Sequence, residues 1–78
     1  MPHIILKTFE GRSEEEKQAV AAALTKAVMA AFGSTEASVS VAIQDVPRAD
    51  WTDKVYVPDI QQQPDLIYKK PGYDPFKG

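Results

Sequence analysis

The sequence contains no cysteine, which rules out a disulfide framework and fits a reducing compartment. Its one histidine, His3, is too little to build a metal centre. No apolar run approaches the roughly 20 residues of a membrane span, and the N-terminus lacks the charged and apolar regions of a secretory signal. An excess of positive charge is also missing. Nine Lys and Arg face eleven Asp and Glu, for a net charge of −2 with the signs interspersed, which excludes the basic footprint of a nucleic-acid binder. The expectation is a cytoplasmic protein with neither a membrane nor a nucleic-acid partner.

The chain has 78 residues, enough for a single domain over 1–78. A monomer of this size buries only about 60–65% of the surface its unfolded chain exposes, so its core is marginal. Small domains compensate with disulfides, a metal or oligomerisation. With the first two absent from the sequence, self-association is the expected remedy.

Residues 2–46 read as one βαβ core. His3–Phe9 (HIILKTF) is rich in β-branched and aromatic residues and ends at the turn signal Glu10-Gly11. Ser13-Glu14-Glu15-Glu16 has the form of a capping box, with three carboxylates at the positive end of the helix to follow. Val20, Leu24, Ala27, Val28, Ala31 and Phe32 recur at helical spacing, and Gly33 supplies a stop. Ser38–Val46 then alternates, with Val39, Val41 and Ile43 on one side and Ser38, Ser40, Ala42 and Gln44 on the other. The pattern predicts an α/β fold with two parallel strands, a helix on one face, and a partner subunit completing the sheet on the other. Residues 47–78 read as a segment of short helical pieces broken at Pro58 and Pro64. An extended tail, KKPGYDPFKG, is expected to lie across a neighbour.

Pro2 heads the first strand, one of the few places where a sheet tolerates a residue without an N–H. A second reading begins with removal of Met1. Pro2 would then carry a free secondary amine, and an α-amine titrates near about 7.7–8.0 before burial pulls it toward neutrality. A base poised there suits proton transfer. Arg12 lies in the loop at the opposite end of the strand, so an arginine that assists Pro2 has to come from a neighbouring subunit. Taken alone, Arg12 reads first as a solvated loop cation, and Trp51, the one tryptophan, as an interface anchor or a pocket wall. His3 reads as an ordinary strand residue, Lys69 and Lys70 as solvated, and Tyr68 and Tyr73 as packing residues.

The Met-Pro start, the Glu10–Ser13 turn (EGRS), the helix and the strand SVSVAIQDV together resemble the 4-oxalocrotonate tautomerase family over residues 2–51. Trp51 and IYKKPGY (Ile67–Tyr73) look more like its longer, dimeric, phenylpyruvate-type subgroup. The resemblance implies an isomerase that uses no cofactor and no metal. Pro2 falls on the family's amino-terminal general base, Arg12 on a residue that binds a substrate carboxylate, and Trp51 on an aromatic position that keeps the pocket apolar. One position departs from the archetype. Ser40 stands where the archetype has an arginine between two valines, and it offers one neutral hydrogen bond in place of a cation. The expected substrate is therefore a small 2-oxo acid of phenylpyruvate type, and the expected assembly a dimer, with the archetype's hexamer as the alternative. Two other functions fit the same residues: hydration or dehalogenation of unsaturated acids, and an oligomeric binding protein without chemistry.

Overall fold

The computed structural model describes residues 1–77, which form two compact units, one spanning Met1–Val46 and the other beginning at Pro47. The first is a β-α-β arrangement of β1 (His3–Phe9), α1 (Glu14–Phe32) and β2 (Ser40–Val46). The strands pair in parallel, with register running from His3↔Ser40 to Phe9↔Val46. Parallel strands need a crossover, and α1 is that crossover.

The α1 boundaries are set by the predicted chemistry. The Glu16 N–H donates to Ser13 Oγ over 3.1 Å, and the Ser13 N–H donates to Glu16 Oε1 over 3.0 Å, which completes a capping box. At the other end Gly33 takes φ 68°, a left-handed conformation open to glycine, and its N–H bonds the Met29 carbonyl over 2.9 Å.

Two details differ from the sequence reading. The second strand begins at Ser40 rather than Ser38, because residues Glu36–Ser38 form a 3₁₀ turn. There the Ser38 N–H and hydroxyl both donate to the Thr35 carbonyl, at 3.1 and 2.8 Å, a local alternative to ladder pairing. The sheltered stripe of α1 runs through Lys17, Val20, Ala21, Leu24, Thr25, Val28 and Met29, while Ala27, Ala31 and Phe32 are exposed. At 100° per residue Ala27 sits on the shoulder of that stripe. The 19-residue helix, about 28 Å long, also outruns strands of about 23 Å, which leaves its last turn unsupported.

The alternation of the strands assigns the two faces. Leu6, Thr8 and Ile43 line a cavity with Ala19 and Val20 of α1, so they face the helix. His3, Ile5, Ser40 and Ala42 face the other way, where Ile5 is 57% exposed.

The second unit contains a 3₁₀ turn at Arg48–Asp50, a π-helix at Thr52–Gln61 and a further 3₁₀ turn at Pro64–Leu66. The helix passes through Pro58 without a break, contrary to the sequence reading. The Gln62 N–H bond to the Val57 carbonyl at 3.0 Å closes a wide turn that spans Pro58, whose missing N–H costs the run one donor. Val55 and Tyr56 are its buried residues. Residues 67–77 hold no helix or strand, and the Tyr73 and Phe76 rings lie 5.7 and 6.1 Å from that of Tyr56 in the same chain.

Candidate active site

Pro2 sits immediately before β1 and is half-buried, with the fully exposed Met1 preceding it. Its lack of an N–H costs the sheet nothing at this position, and its carbonyl accepts the Ser40 N–H over 3.1 Å. This bond places Pro2 at the same end of the sheet as Ser40. The Ser40 side chain is engaged elsewhere, 2.7 Å from His3 Nδ1 on the sheet face opposite α1.

Arg12 occupies the other end of β1. The Glu10 N–H donates to the Val46 carbonyl over 3.0 Å, which extends the pairing one residue past β1. Gly11 then adopts φ 111°, a backbone conformation other residues rarely take, and the chain turns into α1. Arg12 Nη1 lies 3.2 Å from Glu16 Oε2, with both side chains more than half exposed. Seven strand residues, about 23 Å of chain, therefore separate the Pro2 end from the Arg12 end. One chain brings Pro2 and Ser40 together and holds Arg12 away from both.

Around Arg12 the structure adds groups that the sequence reading did not single out for this site. Arg12, Glu16 and Lys17 line a cavity of about 540 Å³ together with Leu6, Thr8, Ala19, Val20 and Ile43. Lys17 Nζ lies 2.9 Å from both Asp45 Oδ2 and Glu14 Oε1, which ties the first turn of α1 to the end of β2. Those hydrogen bonds, Asp45 first, hold its ammonium above the ordinary lysine pKa. Glu16 is held below the usual carboxylate range, chiefly by the Ser13 N–H and then by Arg12. Arg12 and Glu16 are four residues apart, a spacing visible in the sequence. The Lys17–Asp45 pair spans 28 residues and has no such signal.

Trp51 belongs to the second unit, where its Nε1–H donates to the Tyr73 hydroxyl. Burial, followed by the Asp74 carboxylate and Tyr73, pushes the neighbouring Tyr56 phenol above its usual pKa.

Comparison with known proteins places these features in a family. The model of the Tautomerase enzyme family matches residues 2–55. A probable tautomerase of Xylella fastidiosa is 47% identical over 73 residues, covering 94% of this chain and 89% of the relative. Tautomerase PptA of Pectobacterium atrosepticum is 45% identical over 74 residues, covering 94% of this chain and 97% of the relative. Among solved structures, one from work on the 4-oxalocrotonate tautomerase isozymes of Methylibium petroleiphilum is similar with a TM-score of 0.63 and 42% identity. It covers 64% of this chain and 81% of that one. TomN, a 4-oxalocrotonate tautomerase homologue from the tomaymycin biosynthetic pathway, matches with the same TM-score at 34% identity, over 64% of this chain and 77% of its own.

Proposed function

We propose, from the premise that the chain belongs to the tautomerase family, that it interconverts the enol and keto forms of a small 2-oxo acid of phenylpyruvate type. The observation that carries this reading is the position of Pro2, where the family match begins and where the proline heads β1. Removal of Met1 frees its nitrogen as a secondary amine whose ring fixes the direction of the lone pair. The amine takes the enol O–H proton and returns it to the adjacent carbon, forming the C–H bond of the keto acid. An amine with a pKa near neutrality exchanges that proton efficiently in both directions.

The remaining roles follow from charge and placement. Arg12 binds the substrate carboxylate through its forked N–H donors. Since about 23 Å of strand separates Arg12 from Pro2, the arginine serving one proline comes from a second copy. Ile5, exposed on the sheet face that α1 leaves open, supports self-association, with a dimer as the proposed state. Ser40 replaces a cation of the archetype with a hydroxyl, which favours a monocarboxylate over a dicarboxylate.

Enol decay followed in the ultraviolet tests the mechanism. Pro2→Ala should lose at least about 100-fold in kcat, the lower range for a removed general base. Arg12→Ala should act mainly on KM. Full activity of Pro2→Ala, with its N-terminus verified by mass, would overturn the proposal.

A further inference from the structure

We infer that Glu16 is a positioning residue for Arg12, presenting its free guanidinium N–H groups to the substrate carboxylate. The inference rests on the carboxylate-binding role proposed for Arg12. Glu16 uses its two carboxylate oxygens for two tasks. Oε1 accepts the Ser13 N–H at 3.0 Å, which anchors the carboxylate to the helix N-terminus. Oε2 meets Arg12 Nη1 at 3.2 Å. An exposed arginine is otherwise long and mobile, and ordering it costs side-chain entropy at the moment of binding. A carboxylate already fixed by the capping box offsets part of that cost beforehand.

The arrangement leaves the arginine competent. A guanidinium has five N–H donors, and the contact with Glu16 engages one nitrogen, so the rest stay available for bidentate capture of a carboxylate. The neighbouring acid and base are already committed. Glu14 is paired with Lys17, which also holds Asp45, so in this arrangement Glu14 does not take the place of Glu16 beside Arg12 and Lys17 does not compete for Glu16. All of these groups surround the cavity or the turn at the C-terminal end of β1, where Gly11 sets the direction in which Arg12 leaves the strand.

Steady-state kinetics of Glu16→Gln, Arg12→Ala, their double variant and Ser13→Ala, with the enol of phenylpyruvate as substrate, test the inference. Glutamine keeps an oxygen for the Ser13 N–H and loses the ion pair. Glu16→Gln should raise KM about two- to five-fold with kcat little changed, the scale of an exposed ion pair. The same change should have no effect in the Arg12→Ala background. Ser13→Ala weakens the cap while sparing the Arg12–Glu16 pair, and it should lower the thermal midpoint without moving KM. A KM that falls in Glu16→Gln would make Glu16 a competitor of the substrate, and an unchanged KM would make it a helix cap only. Either result overturns the inference, as does an equal rise in Ser13→Ala. If Arg12→Ala itself leaves KM unchanged, the carboxylate role of Arg12 fails, a result distinct from a silent Glu16→Gln beside a defective Arg12→Ala.

Discussion

The indole N–H of Trp51 donates to the hydroxyl of Tyr73 over 2.8 Å, across 22 residues of sequence. The bond secures the irregular tail to the start of the second unit's helix, with the Tyr73 ring packed against Tyr56. Tyr73→Phe keeps the ring and removes the acceptor. It should cost at most about 1 kcal/mol, the range for one partly exposed hydrogen bond. Because Trp51 is the one tryptophan, its fluorescence reports the change directly, and amide exchange should quicken in residues 67–77. An unchanged emission spectrum together with unchanged exchange would contradict the role given to this bond.

Lys17 links helix and sheet, and its raised pKa sets the sign of a pH effect. Its folded value lies above the ordinary 10.5, so its stabilising contribution is complete below that value and is lost as the pH rises through the folded pKa. Denaturant unfolding should therefore show stability declining on the alkaline side, above about pH 10. Lys17→Met should flatten that decline and lower stability at neutral pH. Asp45→Asn, which removes the largest contributor, should make that decline smaller.

The open sheet face gives a test of assembly. Ile5 projects from it at 57% exposure, and a lysine there adds charge without disturbing the helix-facing core. Ile5→Lys should shift the sedimentation mass toward that of a single chain and lower kcat/KM, since Pro2 and Arg12 of one chain lie at opposite ends of β1. A wild-type protein that sediments as one chain while fully active would refute the two-copy site.

Ser40 is the position proposed to set the choice of substrate. Ser40→Arg should increase the ratio of kcat/KM for a dicarboxylate 2-oxo acid over that for phenylpyruvate, by about ten-fold if one charge-assisted contact forms. It also removes the His3–Ser40 contact, so Ser40→Ala is the control. Equal ratios in the three proteins would show that this position does not select the substrate.

Much of the first unit follows from short-range chemistry. The Ser13–Glu16 box and Gly33 define α1, and the β-branched run His3–Phe9 defines β1, because caps and periodicity act within a few residues. The Met-Pro start, the EGRS turn, the helix and the strand SVSVAIQDV together suggest the family, and that resemblance singles out Pro2 and Arg12. Short-range chemistry misplaced the start of β2, where Ser38 prefers the Thr35 carbonyl to the ladder, and it broke a helix at Pro58 that π-type bonding carries through. Those outcomes depend on competition between hydrogen-bond partners, which residue type alone does not rank.

By itself the sequence determined the β-α-β order and the parallel pairing it requires, and it pointed to Pro2 and Arg12 as the proposed base and carboxylate anchor. Tertiary structure alone decided that Lys17 meets Asp45, that Tyr73 meets Trp51, and that the Ser40 side chain turns to His3. Each of these contacts joins residues at least 22 positions apart, brought together when the chain closes on itself. The separation of Pro2 from Arg12 has the opposite origin. It follows from the length of one strand, and it is the reason the proposed site draws on a second copy of the chain.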